Sequence, residues 1–382
     1  MTSGRCRSEA RIDLQAVRDN VAALAARAAG GAQVMAVVKA DGYGHGLTQC
    51  ARAAVQGGAA WLGVAFLEEA LQVRAAGIDV PVLAWLMTPD EDLDPAVAAD
   101  VDLSIDDLPQ LERVRAAARR TGRAARVQLK VDTGLSRGGA TSATWPELCA
   151  AAAGAEASGE VRVTGLWSHF AFADGGADHP VNGAQAGVFA EALTVADRAG
   201  LTPEVRHLAN SAATLTAPAT HYDLVRPGVA VYGLSPVPDL GAPADFGLRP
   251  AMTLASTVAL TKRVPAGTGV SYLHRHVTAG ETTLALVPLG YADGVPRAAT
   301  STGQVLLGGV RRTIAGTVCM DQFVLDVGDD EVAAGDEVLL FGPGDSGEPT
   351  AQDWAAALGT IDYEIVTRIG ARVPRTYAGQ VH

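Results

Sequence analysis

Val34-Met-Ala-Val-Val-Lys39-Ala-Asp-Gly-Tyr43-Gly-His-Gly46 sets a lysine at the end of an apolar run, against a glycine-rich turn. A short, continuous apolar run reads as a strand buried on both faces, as in a parallel sheet covered by helices. Lys39, Lys130 and Lys262 are the only three lysines of the chain, beside 27 arginines, so lysine chemistry has few candidates. The turn Asp-Gly-Tyr-Gly-His-Gly has the spacing of neither a Walker loop nor a dinucleotide fingerprint.

Outward from this stretch the same phrase repeats. Apolar runs occupy 34–40, 60–66, 80–86, 101–105, 126–132, 163–170, 205–210 and 224–232. Between them lie Ala-rich helical stretches such as Leu67 to Ala76, Leu108 to Arg120 and Ala184 to Ala199, several ended by a glycine (Gly77, Gly122, Gly200). A helix capped by Asp13 and stopped at Gly30-Gly31 precedes them. Eight strand-helix units read as an α/β fold, a TIM-like (β/α)₈ barrel. An open doubly wound sheet stays as the alternative, because the fourth run is short and only Ser211 to Ala217 is available for the helix after the seventh.

From about Pro250 the texture changes to strand candidates separated by Gly, Pro and Asp: Met252 to Leu260, Thr283 to Pro288, Gln304 to Leu307, Arg312 to Gly316, Phe323 to Val327 and Glu337 to Phe341. Trp354 to Leu358 reads as a short helix. The expected domains are a barrel over 1–246 and a β-rich domain over 247–382, with residues 1–12 able to pack on the second.

Lys+Arg 30 against Asp+Glu 42 gives a net charge of −12, and no basic stripe concentrates, which argues against nucleic acid as a partner. Cys6, Cys50, Cys149 and Cys319 are scattered, without the spacing of a zinc or redox site, and fit a reducing compartment. The N-terminus lacks an apolar signal region, and no segment approaches the ~18 apolar residues of a membrane span. A soluble, cytoplasmic protein without a metal centre is expected.

In a barrel the C-terminal strand ends converge on one face, where active sites are built. Lys39 ends the first strand, Lys130 and Asp132 the fifth, His169 the sixth, Asn210 and Ser211 the seventh, and Arg226 lies within the eighth, before Pro227-Gly228. A lysine nucleophile must be neutral, and apolar walls with nearby cations disfavour its ammonium form. Taken singly, each residue has a plainer reading. Lys39 could reach solvent, Arg226 could pair with Asp223, Tyr272 could be a half-buried strand tyrosine, and the histidines could be satisfied core groups.

Together, residues 34–46 resemble the pyridoxal-phosphate lysine motif of the alanine racemases, and the resemblance spans nearly the whole chain. Lys130-Val-Asp-Thr-Gly-Leu-Ser-Arg137, Trp167-Ser-His-Phe170, His207-Leu-Ala-Asn-Ser-Ala-Ala213, Val225-Arg-Pro-Gly-Val229, Val270-Ser-Tyr272, Leu289-Gly-Tyr-Ala-Asp-Gly294, Cys319-Met-Asp321 and Asp362-Tyr-Glu-Ile365 are similar to that family's blocks, in its order.

The resemblance implies an isomerase that interconverts L- and D-alanine and supplies D-alanine for peptidoglycan. Pyridoxal 5′-phosphate would be held by Lys39 as an imine, and the protein would be a homodimer with composite sites. Lys39 and Tyr272 would be the two bases, Tyr272 coming from the partner subunit. Arg226 would donate to the pyridine nitrogen, with His169 and His207 linking that arginine to the base tyrosine and Asn210 in support. Tyr43, Ser211, Tyr363 and the backbone N–H groups near Gly228 and Val229 would hold the phosphate. Arg137 would lie near the substrate carboxylate, bordered by Met320 and Asp321, and Lys130 would orient Arg137, carbamylated in many relatives. The sequence departs at Leu273-His-Arg-His276, where the family commonly has a glycine and small residues. A serine or broad-specificity racemase is the near alternative. A barrel-type decarboxylase is disfavoured by Arg226 standing where those enzymes have a glutamate, and a non-catalytic pyridoxal-phosphate carrier by the presence of the region after Pro250.

Overall fold

The computed structural model describes residues 7–176 and 178–379, which form two compact units. Cys6 and the other N-terminal residues of the sequence reading lie outside the described residues.

The first unit, residues 17–42 and 47–248, is the barrel. Its parallel strands are Gln33–Val37, Trp61–Val64, Val82–Ala84, Asp102–Ile105, Ala125–Lys130, Val161–Trp167, Val205–His207 and Leu224–Val225. Each pairs with its neighbour in chain order from the first to the seventh, and the eighth returns to the first through Gln33↔Leu224 and Val34↔Val225. The remaining gap is bridged by Asp223 N–H to the Arg206 carbonyl (3.0 Å) and Arg226 N–H to the Ala209 carbonyl (2.9 Å). This return pairing rules out the open doubly wound sheet. Met35, Trp61, Leu83, Trp167, Val205 and Leu224 form one buried cluster, which is why the runs are continuously apolar.

The strands are shorter than the apolar runs, and this corrects several placements. The first stops at Val37, so Lys39 opens a turn rather than ending the strand. The eighth covers only Leu224–Val225, and Arg226 lies just past it; Pro227, which has no N–H, interrupts the ladder, and Val229–Tyr232 form a buried helical turn. His169, Asn210, Ser211 and Asp132 likewise sit two to four residues beyond their strands. The helix after the seventh strand is as short as its sequence allows, Ser211–Thr216, with Asn210 as its cap through Ala213 N–H (3.0 Å).

The second unit, residues 1–16, 43–46 and 249–382, is β-rich in its described part. A six-stranded sheet runs in the order Val310–Thr313, Gln304–Leu307, Glu337–Phe341, Met252–Thr257, Ser8–Asp13, Arg375–Ala378, and a three-stranded sheet joins Leu260–Val264, Thr282–Val287 and Phe323–Gly328. The run Met252 to Leu260 is therefore two strands in different sheets. Ser8, Ala10 and Ile12 of Ser8–Asp13 are buried in alternation, the strand lying antiparallel to Met252–Thr257 and parallel to Arg375–Ala378. Asp13 then caps the helix Leu14–Arg27, its carboxylate accepting Gln15 N–H (2.9 Å) and Ala16 N–H (3.2 Å). The helices here are Ala351–Leu358 and the shorter Asp362–Thr367. Among the described residues, no helix is long and apolar enough to cross a membrane.

Candidate active site

After Lys39 the barrel backbone runs left-handed: φ is 53° at Ala40, 53° at Asp41, 61° at Gly42 and 53° at Tyr43. Only Gly42 does this freely; elsewhere the conformation costs about 1–2 kcal/mol per residue, so surrounding contacts must hold it. Gly42 N–H donates to the Val38 carbonyl (2.9 Å), Asp41 accepts Leu47 N–H (2.8 Å), and Glu69 accepts Ala40 N–H (2.6 Å). Burial lowers the Lys39 pKa, Arg137 lowers it further, and Glu69 opposes them. Lys39 Nζ lies 5.9 Å from the Trp85 ring centroid. The neutral amine is thereby favoured, as a nucleophile requires.

Arg226 is 4% exposed, and its guanidinium is locked at both Nη atoms. Nη1 donates to His207 Nδ1 (2.9 Å), while Nη2 donates to the Ser168 carbonyl (2.7 Å), the Leu208 carbonyl (3.3 Å) and His169 Nδ1 (3.2 Å). Its Nε has no hydrogen-bond partner among the described residues. Burial draws the Arg226 pKa down to about 9, still above neutrality, so the group stays cationic. The alternative, a surface pair of Arg226 with Asp223, is not formed, since Asp223 pairs with Arg206 (2.7 Å).

Behind Arg226 a polar chain runs into the barrel. His207 Nε2 meets Gln128 Oε1 at 2.7 Å, Gln128 Nε2 donates to Asp102 Oδ1 at 3.2 Å, and Asp102 pairs with Arg126 at 2.8 Å. Since Nδ1 accepts from Arg226, the His207 proton belongs on Nε2. Burial, with Arg226 second, holds His207 well below the usual histidine pKa, and it stays neutral. His169 is depressed by burial first, then by Arg226, Arg137, Lys130 and Lys39, which shows how closely the strand-end cations gather. Trp167 is their platform: it stacks on His207 (5.8 Å, 9°), with Arg226 Cζ 4.9 Å and Lys130 Nζ 4.8 Å from its centroid.

Lys130 is 7% exposed. Burial lowers its pKa, Arg137 and Arg226 lower it too, and Asp106 opposes them. Asp132 shapes the following loop by accepting Gly134 N–H (2.9 Å) and Ser136 N–H (3.1 Å), so that Arg137 emerges exposed. Gly139, at φ 110°, is needed here because a Cβ would fall 2.7 Å from Asp132 N. Ser211 Oγ accepts Gly228 N–H (2.7 Å) and Ala230 N–H (3.4 Å), tying this hydroxyl to the Pro227-Gly228 turn. Val229 N–H has no partner among the described residues.

In the β-rich unit, Tyr43 is buried, its ring centroid 6.3 Å from that of Tyr363, and burial raises its pKa. A Cβ on Gly44 would lie 2.6 Å from the Val366 carbonyl, and the Gly44 carbonyl accepts from Arg375 Nε (2.9 Å), so Tyr43 to Gly46 is knitted to this unit. Tyr272 sits on a tight turn rather than a strand, with φ 61° at Ser271, 62° at Leu273 and 41° at His274. The Tyr272 carbonyl accepts from Thr317 (2.7 Å) and Ser271 donates to the Thr317 carbonyl (2.7 Å), while the Tyr272 side chain is left out, the residue being 70% exposed. Met320 is also exposed, and Asp321 pairs with Arg372 (2.8 Å).

The structure thus brings Lys39, Lys130, Arg137, His169, His207 and Arg226 into one electrostatic neighbourhood, places Ser211 on the Gly228 turn, and makes Asn210 a helix cap. Glu69, Asp102, Asp106, Gln128 and Trp167 were not in the sequence-derived set. Polar Asp102 and Gln128 inside otherwise apolar strands were the available signal.

Comparison with known proteins agrees across both units. The model of the alanine racemase N-terminal domain matches residues 12–236, and that of the C-terminal domain matches residues 251–377. The chain is 70% identical to an alanine racemase of Frankia casuarinae over 97% of this chain and 96% of that one. It is 62% identical to the Thermobifida fusca alanine racemase over 98% and 99%. The crystal structure of alanine racemase from D-cycloserine-producing Streptomyces lavendulae superposes with a TM-score of 0.97 at 56% identity, covering 99% of each chain. With both domain models matched in order on a barrel and a β-rich unit of this kind, the chain belongs to the alanine racemase family.

Proposed function

We propose that this protein interconverts L- and D-alanine with pyridoxal 5′-phosphate, supplying D-alanine for peptidoglycan in the cytoplasm. We assign the two bases to Lys39 and the partner subunit's Tyr272. The observation that carries the reading is Arg226, buried, cationic and bonded through both Nη atoms, yet with Nε unpartnered among the described residues. That donor suits the pyridine nitrogen of the cofactor, as the lowered pKa of Lys39 suits its aldehyde. When bound, the cofactor withdraws electrons from the substrate Cα and acidifies its hydrogen.

Arginine holds its own proton, so Arg226 donates a hydrogen bond without protonating the ring. Neutral His207 and His169 accept from Arg226 and fix its orientation. This tempered environment favours proton exchange over loss of CO₂, and so racemase over decarboxylase. Ser211, Tyr43, Tyr363 and the backbone at Gly228 and Val229 are the assigned phosphate ligands, hydroxyls and amides suited to a dianion. Arg137, exposed and without an ion-pair partner among the described residues, is assigned to the substrate carboxylate, with Lys130 orienting it and Asn210 bracing the Ser211 turn.

The second base must approach Cα from the other face. Tyr272 and Leu273 are 70% and 74% exposed, with Met320 also largely exposed, and large side chains left to water in this way suit a surface that a second copy covers. We therefore assign a homodimer with composite sites, in which the partner's Tyr272, Met320 and Asp321 border the substrate.

The test is a panel of amino-acid enantiomers given to the purified protein. The optical signal of L- and of D-alanine should decay to zero. Retention of both would refute the reading, and equal turnover of serine would favour a broad-specificity racemase.

A further inference from the structure

We propose that Glu69 is a positioning residue for Lys39, one carboxylate that pins the peptide after the lysine to the end of the second barrel strand. The inference rests on the reading that Lys39 carries the cofactor.

The turn Lys39–Tyr43 is costly, since three of its non-glycine residues are left-handed. Some of its restraints are local, such as Gly42 N–H to the Val38 carbonyl and Asp41 to Leu47 N–H. Another comes from a different strand-helix unit. Glu69 Oε1 accepts Ala40 N–H at 2.6 Å, on the peptide that follows the Lys39 Cα. Glu69 Oε2 accepts Ala65 N–H (2.9 Å) and Phe66 N–H (3.1 Å), where the second strand turns into the helix Leu67–Ala75.

Ordinary helix capping explains only half of this. A glutamate at the third helical position reaches back to the residue before the helix, which accounts for Oε2 and Phe66. It does not account for the shorter bond to Ala40, 29 residues upstream. Charge-assisted bonds to three backbone donors make the carboxylate a rigid bridge between the first two strands. The same carboxylate raises the Lys39 pKa against burial and Arg137, so its loss moves the lysine in a direction that capping alone would not.

Two variants separate these roles. Glu69→Gln keeps length and one acceptor oxygen but loses the charge, and its amide turns donors toward donors. Glu69→Asp keeps the charge but falls one methylene short. The as-purified, full-length protein is opened with methylamine, which displaces the lysine, and then desalted. The return of cofactor to Lys39 is fixed with borohydride at successive times across a pH series and quantified on the Lys39 peptide.

Both variants should recapture cofactor more slowly, by roughly tenfold or more, since small misplacements of a reacting group carry large rate costs. Glu69→Gln should also shift the pH midpoint of recapture downward, whereas Glu69→Asp should hold it near the wild-type value. Wild-type rate and midpoint in both variants, with only a lowered melting temperature, would make Glu69 a helix cap and overturn the proposal. No fixed cofactor on Lys39 in the wild type would instead overturn the functional reading beneath it.

Discussion

His207→Gln probes the neutrality of the imidazole that braces Arg226. His207 is fully buried, and both ring nitrogens are committed, Nδ1 to Arg226 and Nε2 to Gln128. A second proton would set donor against donor beside a cation. The folded pKa therefore lies well below the usual value, through burial first and Arg226 second. The unfolded chain binds a proton below about pH 6.5 and the folded chain does not, so stability is present above that pH and falls as the pH drops toward the folded pKa. The slope approaches about 1.4 kcal/mol per pH unit, and between about pH 7.5 and about pH 5.5 the integrated loss for this histidine is about 1.4 kcal/mol. His169 adds its own loss, but that share is common to wild type and variant. Carboxylates in the unfolded chain titrate near pH 4, largely below the window. Glutamine can still accept from Arg226, and any fixed cost of the substitution appears at both pH values and cancels. Urea-unfolding free energies at the two pH values should show the wild type losing about 1.4 kcal/mol more than His207→Gln. Equal losses would mean that His207 titrates alike in the folded and unfolded chains, and the braced-arginine account would fail.

Tyr272→Phe removes a hydroxyl from a side chain turned out to solvent, so folding stability should stay within about 0.5 kcal/mol while racemisation falls by roughly a hundredfold or more. Paired thermal melts and turnover check this, and a large melting shift would mark Tyr272 as structural. Burial, with the Arg137 and Arg226 cations, lowers the Lys130 pKa and so favours the neutral amine, the form that takes up CO₂ with release of a proton. Isotope-labelled bicarbonate should give a carbamate signal that Lys130→Arg abolishes, and its absence from the wild type would leave Lys130 a plain amine.

Much of the barrel was legible because strands buried on both faces must be continuously apolar, and each of the eight runs overlaps a strand. Their ends were less legible. Apolar residues such as Val38 and Val229 to Tyr232 remain buried after the ladder has stopped, so composition overruns hydrogen bonding. Ser8–Asp13 was missed as a strand although Ala10 and Ile12 alternate, because six residues with three charges give a weak period and the partners lie more than two hundred residues away. The helix carrying Tyr363, six residues long, is too short to show a helical repeat.

Within the site, the strand-end lysines, histidines and Arg226 could be named because few reactive groups fall at strand ends. The residues that hold them could not. Gln128 meets His207 across 79 positions and Asp102 meets Gln128 across 26, contacts that exist only once strand register is set. Glu69 looks locally like any acidic residue in a first helical turn. Its bond to Ala40 depends on the left-handed turn after Lys39, which the non-glycine residues Ala40, Asp41 and Tyr43 gave no reason to expect.

Racemisation by Lys39 and Tyr272 requires two bases serving opposite faces of one carbon. The direct measurement is the exchange of the α-hydrogen in deuterated water, followed separately from L-alanine and from D-alanine, in the wild type and in Tyr272→Phe. Wild type should exchange both enantiomers, whereas Tyr272→Phe should keep its cofactor on Lys39 and lose exchange from one enantiomer far more than from the other. Undiminished exchange from both enantiomers in Tyr272→Phe would contradict the two-base assignment.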